Sequence, residues 1–198
     1  MKITRRDIEL AASDKGDVWT FGNNVLYRLC RDNPEHRRPE IVIAKVWLIG
    51  RSYAAAIERG RKQADSDNPT PNDVFYTEKV APALISSDID DRLNNLQQYD
   101  RINEQSISDT LTLHKYLVGI FNKLTGQRKR SLASKYLHFH RPNLFYIYDT
   151  RAVNGFRKIR PRCKVRHRNV ESDSSDYAIF ALNCLICRKT LSIVLGRG

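Results

Sequence analysis

The 198-residue chain lacks several features that would assign it to a familiar class. No apolar run approaches the length of a membrane span, and the N-terminal segment has no hydrophobic stretch typical of a signal peptide. Four cysteines are too few to indicate a secreted disulfide scaffold of this size. These absences predict a cytoplasmic protein with no membrane partner, and 41% hydrophobic residues suffice to bury a core.

Several signatures of cofactor and metal chemistry are also missing. The sequence contains no P-loop, no glycine-rich dinucleotide turn, no HExxH motif and no nucleophile elbow. The spacings Cys163-x3-His167 and Cys184-x2-Cys187 are superficially those of a zinc site. The second pair lies on the apolar stripe ALNCLIC, however, where free cysteine is a common core residue. We therefore expect no cofactor and no metal, with zinc as the alternative.

Acidic residues are nearly absent from one third of the chain. Between Lys123 and Arg168 there are 14 basic residues and one acidic residue, Asp149, a net charge of +13 over 46 positions. The remainder carries a net charge of −1, so this basic segment (about 123–168) holds the whole surplus of +12. Such a block repels itself unless a polyanion lies against it, which makes nucleic acid the leading partner. A solvated basic face or a tail for anionic membrane is the alternative.

Strand signals are scarce, and apolar residues recur mostly at spacings of three and four, which predicts helices. We predict one all-α domain over 1–198 with roughly seven to eight helices. The expected helical segments are 18–34, 40–62, about 73–86 with an interruption near Pro82, about 88–99, 110–124, 132–139, 150–156 and 176–195. Ser108, Ser131 and Asp149 are the expected N-caps, and Gly126 follows the end of its helix.

The stretch SLASKYLHFHRPNLFYIYDTRA, residues 131–152, holds the candidate reactive residues. Lys135 neighbours Leu132 and Phe139 through helical spacings of three and four, so we expect it half-buried at the edge of an apolar stripe. Partial removal from water suits an amine nucleophile. Asp149 follows a buried aromatic run, where an N-cap carboxylate would be rigidly held facing the basic segment. The alternative is a helix-edge cation and a plain cap.

A short helix with Lys, a turn, an apolar stretch and an Asp capping the next helix resembles the core of the helix-hairpin-helix DNA glycosylases. The branch of the 8-oxoguanine glycosylases is the most similar. The resemblance covers about 123–156 and implies an all-helical DNA N-glycosylase with AP-lyase activity on duplex DNA. It implies that Lys135 attacks the sugar C1′ as a Schiff-base nucleophile, that Asp149 stabilises the sugar cation or activates the amine, and that the damaged base is flipped out.

The hairpin departs from that family's pattern. The family carries Gly-x-Gly before the lysine helix, whereas this chain reads GQRKRSLASK with a single glycine, Gly126. A divergent relative that binds DNA without cutting the glycosidic bond is therefore an alternative. Strings of the form SKxLHFxxPxxFxIxD also resemble segments of uncharacterised bacterial proteins, which says nothing about activity.

Further residues complete the predicted site. Arg128, Lys129 and Arg130 are expected to hold phosphates at the hairpin, and the run beginning Arg157-Lys158 suits phosphate contact. Arg141 and Arg151 are expected to flank the pocket. Candidate pocket residues are Arg51, Tyr53, which would stack a flipped base, and His138, which lies three residues from Lys135.

Two rival functions belong to other classes. The first is a nonenzymatic nucleic-acid-binding or regulatory protein, for instance within a bacterial defence or mobile-element locus. The second is an interaction module whose basic face meets an acidic protein. An enzyme requires Lys135 for turnover, whereas a binder depends on Arg128, Lys129 and Arg130 instead.

Overall fold

The computed structural model describes residue 6 and residues 18–60, 71–159 and 176–194. Within these ranges the regular structure comprises eight helices and no strand, which confirms the predicted all-α class. The helices are α1 (Val18–Asp32), α2 (Pro39–Ser52), α3 (Asn72–Phe75, a π-helical turn Tyr76–Val80, and Ala81–Ile85), α4 (Ile89–Asn95, extended by a 3-10 turn Leu96–Gln98), α5 (Ile107–Thr125), α6 (Arg130–His140), α7 (Thr150–Ile159) and α8 (Asp176–Val194).

Proline and glycine act where the sequence predicts. The π-helical turn of α3 precedes Pro82, and the amide of Ala81 donates to the carbonyl of Tyr76 across five residues. Proline has no amide hydrogen to continue the α-helical ladder, so the irregularity falls beside it. Gly126 ends α5 in the left-handed conformation with φ of 67°, and its amide donates to the Asn122 carbonyl at 2.8 Å.

The predicted long helix over 40–62 is wrong from Tyr53 to Gly60, because α2 ends at Ser52, and positions 61 and 62 lie outside the described residues. Tyr53 is the C-cap, and Ala54 turns the backbone left-handed with φ of 51°. The amide of Ala55 then donates to the Gly50 carbonyl at 2.7 Å, the hydrogen-bond pattern of a Schellman motif. A Cβ at Gly50 would lie 3.1 Å from the Ala56 backbone, so glycine lets the chain fold back over the helix end.

Two predicted serine caps are also wrong. Helix α5 begins at Ile107 and α6 at Arg130, so Ser108 and Ser131 lie within the first turns. The turn before α5 is organised by Asn103, whose side-chain oxygen accepts from the amides of Gln105 and Ser106 at 2.9 Å each. In α6 the hydroxyl of Ser131 accepts a hydrogen bond from the Lys135 ammonium instead of from a backbone amide.

Helix α6 lies at the centre of the main core, in contact with α1, α2 and α5. Seven of its eleven residues are buried, so this short helix is a core element despite its basic surroundings. The large rings of Tyr136 and Phe139 are among them. Burial of such side chains is the dominant stabilising term of a fold, so α6 is held rigidly relative to its neighbours.

Helices α7 and α8 share a smaller apolar cluster that includes Phe156 and Leu191. Helix α8 is joined to the rest of the fold by stacking of Tyr177 on His114, whose ring centroids lie 3.6 Å apart. The salt bridge between Arg130 and Asp176, at 2.7 Å, links it to the start of α6. Among the described residues no helix is long and apolar enough to cross a membrane.

Candidate active site

Lys135 lies in the middle of α6 and is 1% exposed, so it is more deeply buried than the sequence predicts. Its ammonium contacts Asp149 Oδ2 at 3.1 Å and donates to Ser131 Oγ at 2.9 Å and to the Tyr53 carbonyl at 3.4 Å. An ammonium has three hydrogens, so these three acceptors satisfy it. Its side chain is fixed in one position by the core helix and by three partners.

Asp149 caps α7, as the sequence predicts. Its Oδ1 accepts from the Ala152 amide at 2.8 Å, which leaves Oδ2 for Lys135. Burial acts to raise the pKa of Asp149, but the hydrogen bond from Ala152 and the Lys135 ammonium outweigh burial and leave this pKa lowered. The carboxylate therefore stays ionised near neutral pH, with one oxygen for structure and one for Lys135.

Ser134, a residue that the sequence reasoning missed, fixes the spacing between Lys135 and Asp149. Its hydroxyl donates to the Ser131 carbonyl at 2.9 Å and accepts from the Tyr148 amide at 3.0 Å. Ser134 is fully buried. The hydroxyl thus joins α6, one residue before Lys135, to the segment that ends one residue before Asp149. A serine among apolar helix neighbours is the only signal that points to this role.

Lys135 and Asp149 line a cleft of about 830 Å³, called here the Lys135 cleft. This volume lies within the usual range for small-molecule sites. The other lining residues come from the start of α1, the end of α2 and the turn after it, the first turn of α6, and α7 with the residue before its cap: Trp19, Ser52, Tyr53, Ala54, Ser131, Tyr148, Thr150, Arg151, Val153, Asn154 and Arg157. The cleft therefore joins aromatic rings on one part of its wall with two arginines on another.

Tyr53 lines the Lys135 cleft, and the left-handed turn after α2 positions it. Its hydroxyl donates to Asn23 Oδ1 at 2.7 Å, and Lys135 Nζ lies 5.3 Å from the ring centroid. Placing Ala54 in the left-handed region costs roughly 1–2 kcal/mol relative to glycine-like freedom. The turn directs both the carbonyl and the ring of Tyr53 toward Lys135, so backbone strain lies next to the site.

The three cations predicted to bind phosphate at the hairpin between α5 and α6 differ in exposure and in their partners. Arg128 is exposed. Lys129 Nζ donates to the Arg59 carbonyl, and burial lowers the pKa of Lys129. Arg130 pairs with Asp176 at the start of α8. Arg128 is thus the most available of the three cations, beside a shallower cleft of about 490 Å³ lined by all three.

Two predicted pocket arginines lie elsewhere. Arg141 lines a separate cleft, and its guanidinium donates to the Leu96 carbonyl at 2.8 Å, so it caps the end of α4. Arg51 pairs with Glu58 and lies 5.9 Å from the Trp47 ring centroid. The expectation that these arginines border the Lys135 cleft is not met, because each guanidinium has another partner, the Leu96 carbonyl or Glu58, that directs it away.

His138 is held by two hydrogen bonds of its own. Its Nδ1 donates to the Phe145 carbonyl at 2.7 Å, which leaves Nε2 to accept from the Tyr27 hydroxyl at 2.7 Å. These contacts assign the neutral tautomer, and burial lowers the His138 pKa. His138 therefore packs between α1 and the segment after α6 and does not contact Lys135.

The remaining predicted cations lie on α7. Arg151 and Arg157 line the Lys135 cleft, whereas Lys158 is exposed near the helix end. Arg157 Nη1 approaches Asn154 Oδ1 at 3.4 Å, a long hydrogen bond that leaves most of its donors available. The structure thus brings two of the predicted nucleic-acid ligands to the same cleft as Lys135 and Asp149.

A buried polar network lies on the other side of α6, also missed from the sequence. His36 Nδ1 donates to Asp90 Oδ1 at 2.5 Å, and the Tyr136 hydroxyl donates to His36 Nε2 at 2.7 Å. Nearby, burial lowers the pKa of Lys45 to about 8, and its ammonium donates to the Glu35 carbonyl at 3.2 Å. These bonds attach the α1–α2 loop and α4 to α6.

Zinc ligation finds no geometric basis in the part of the chain that is described. No group of three or more His, Cys, Asp and Glu side chains there has the geometry to hold a metal ion. Cys163 and His167 of the predicted alternative lie outside the described residues. Cys187 belongs to the apolar cluster of α7 and α8, and Cys184 is a free thiol on the same helix.

Comparison with known proteins finds no family profile, no curated protein and no solved structure that is significantly similar to the chain. The resemblance to the helix-hairpin-helix glycosylases stays a prediction from residues 123–156. Any assignment of function depends on the geometry of Lys135, Asp149 and the cleft around them.

Proposed function

We propose that the chain binds DNA and that Lys135 and Asp149 form the reactive centre of a base-excision DNA glycosylase with lyase activity. The observation that carries the proposal is the 3.1 Å contact between Lys135 Nζ and Asp149 Oδ2 at the side of an open cleft. A nucleophilic amine needs a fixed position, exclusion from bulk water and a carboxylate close to the reacting carbon. Lys135 is held by three partners, is 1% exposed, and has the Asp149 carboxylate beside its amine, which supports the proposal.

The proposed reaction begins with a nucleotide extruded into the Lys135 cleft. The Lys135 ammonium gives a proton to Asp149, the nearest carboxylate, and the neutral amine forms a bond to C1′ while the bond from C1′ to the base nitrogen breaks. The base leaves with the electron pair and takes the proton from Asp149, and the carboxylate, ionised again, stabilises positive charge on the sugar. A proton then moves from the Lys135 nitrogen to O4′, the bond between C1′ and O4′ opens, and a protonated Schiff base remains on Lys135.

The charge of the surrounding surface supports a polyanionic partner. Arg151 and Arg157 line the same cleft as Lys135, and exposed Arg128 lies by the neighbouring cleft at the hairpin. Phosphate contacts of this kind fix the register of a nucleic acid without reading its sequence. The basic residues would therefore hold the backbone while the cleft receives one nucleotide.

A second candidate, a nonenzymatic DNA-binding protein, is favoured by one observation. All three hydrogens of the Lys135 ammonium have acceptors within the protein, as in a purely structural ion pair. Under this alternative the cleft cations bind DNA and Lys135 only ties α6 to α7. The two candidates differ in whether a covalent intermediate forms.

Borohydride trapping distinguishes them. The purified protein is incubated with duplex oligonucleotides that carry 8-oxoguanine, uracil or an abasic site, and reduced adducts are separated by denaturing electrophoresis. We expect an adduct with at least one of these duplexes, absent in Lys135→Met, which fills the buried volume without an amine. Lys79→Ala is the matched control, since Lys79 is an exposed lysine on α3.

The outcomes separate cleanly if folding and binding are measured beside trapping. Thermal unfolding of Lys135→Met and its affinity for the same duplexes establish that the variant is folded and binds. Salt-sensitive binding without an adduct on any duplex would refute the enzyme and support the binding protein. An adduct that persists in Lys135→Met would refute Lys135 as the nucleophile.

A further inference from the structure

Trp19 breaks the burial pattern of its helix. The inward stripe of α1 runs through positions 19, 23, 26 and 30 at alternating spacings of four and three. Leu26 and Cys30 on this stripe are 4% and 1% exposed, and Asn23 accepts the hydrogen bond of Tyr53. Trp19 shares their side of the helix and yet is 58% exposed. The inward stripe of α1 therefore extends to Trp19, but among the described residues no core side chain covers the Trp19 ring.

What Trp19 faces is the Lys135 cleft. Its ring lines the cleft beside Tyr53, with the ring centroids 6.4 Å apart and the planes inclined by 55°. Tyr53 in turn contacts Lys135 through its carbonyl and its ring. The largest apolar side chain of the cleft is therefore open to water, in the same cleft as Lys135 and Asp149.

Other exposed apolar residues of α1 do not share this position. Val18, Phe21 and Val25 are 84%, 65% and 57% exposed and lie on a different face of the helix from the inward stripe. None of the three is among the residues that line the Lys135 cleft. Exposure of Trp19 therefore has a specific setting and is not a general property of α1.

We propose that Trp19 stacks on the base of the nucleotide whose sugar lies at Lys135, so that the cleft takes a sugar bearing an intact planar base. This inference rests on the proposed function and adds a residue that selects for the base. Stacking of a base on an aromatic side chain contributes about 1–3 kcal/mol by alanine substitution. That range corresponds to a loss of roughly 5- to 150-fold in affinity or rate.

The test compares two substrates in single-turnover trapping. One duplex carries the lesion base that the wild-type protein processes, and the other carries an abasic site at the same position. We expect Trp19→Ala to slow adduct formation at least fivefold on the base-bearing duplex and less than twofold on the abasic duplex. Phe21→Ala, which removes an exposed ring from the other face, should leave both rates unchanged.

Two results would overturn the role of Trp19 while the proposed function stands. The first is an equal rate for Trp19→Ala and wild type on the base-bearing duplex. The second is an equal loss on both duplexes, which would mean that Trp19 supports the fold or the DNA backbone instead of the base. Trp19→Phe should retain part of the rate on the base-bearing duplex, because a smaller ring still stacks.

Fluorescence of Trp19 tests base stacking even if no duplex gives a covalent adduct. The chain has two tryptophans, so Trp47→Phe leaves Trp19 as the single reporter. A short single-stranded oligonucleotide, whose bases need no extrusion, should quench Trp19 emission at saturation. The same oligonucleotide built from tetrahydrofuran abasic residues should bind without this quenching. Equal quenching by the two probes, or none by either, would overturn base stacking independently of catalysis.

Discussion

Removing one or the other partner of the Lys135–Asp149 contact should have unequal consequences for stability. Asp149→Ala removes the cap of α7, which costs about 1 kcal/mol. It also leaves the Lys135 ammonium, 1% exposed, without its counter-charge. Breaking a fully buried ion pair costs about 3–5 kcal/mol, and the 26% exposure of the Asp149 side chain reduces this toward 2 kcal/mol. The total expected loss is about 3 kcal/mol.

Two further variants separate the two contributions. Asp149→Asn keeps a side-chain oxygen for the Ala152 amide and removes only the charge, so we expect a loss of about 2 kcal/mol. Lys135→Met removes the buried charge itself and leaves a capped, partly hydrated carboxylate, so its change should stay within about 1 kcal/mol. The free energy of unfolding is measured by urea denaturation at pH 7, with unfolding slopes compared among the variants.

The order of the three losses is the decisive quantity. We expect Asp149→Ala to be the most destabilised, followed by Asp149→Asn and then Lys135→Met. If Lys135→Met lost more stability than Asp149→Ala, the contact would be a net stabilising pair and the desolvation argument would be refuted. If Asp149→Asn were neutral, Lys135 would not depend on the charge of Asp149.

Three further predictions test separate parts of the structure. Ala54→Gly should raise the free energy of unfolding by roughly 0.5–1 kcal/mol, because relief of left-handed strain exceeds the entropy cost of glycine. A lower free energy of unfolding for this variant, measured by urea denaturation, would contradict the strained turn. Burial lowers the pKa of His114 from 6.5 to about 4. Between these two values the unfolded chain binds a proton at His114 and the folded chain does not, so the free energy of unfolding should fall as the pH drops from 6.5 to about 4. His114→Gln should fall less steeply in the same titration, and equal slopes would contradict this assignment. Replacing Arg151 and Arg157 with Gln should reduce the salt slope of DNA binding by about 0.9 for each phosphate that is no longer neutralised, whereas an unchanged slope would remove them from the interface.

The helical class and several helix ends follow from the sequence because their causes are local. Gly126 ends α5 since only a residue tolerant of positive φ continues the chain there, and Asp149 caps α7 through its own neighbouring amides. The end of α2 could not be predicted in the same way. Ala54 adopts a conformation that alanine disfavours, and the close approach of Gly50 to Ala56 is a consequence of that fold.

The pairing of Lys135 with Asp149 was within reach of sequence reasoning, but the full site was not. Their closeness follows from a helix, a short connector and a cap. The depth of Lys135 depends on the Tyr53 carbonyl, which is 82 residues away in the chain. A distant partner also explains why Arg141 does not line the cleft, because the Leu96 carbonyl to which it donates lies 45 residues away in the chain. Long-range partners of this kind leave no pattern in a single sequence.

The central claim is that Lys135 forms a covalent bond to a sugar, and mapping the reduced adduct tests it most directly. The protein is trapped with borohydride on the duplex that gives the strongest adduct, digested with trypsin and nuclease, and analysed by mass spectrometry. We predict a deoxyribose-derived mass on Lys135, with cleavage after that lysine blocked in the modified peptide. An adduct on another lysine, or no adduct while DNA binding persists, would contradict the claim.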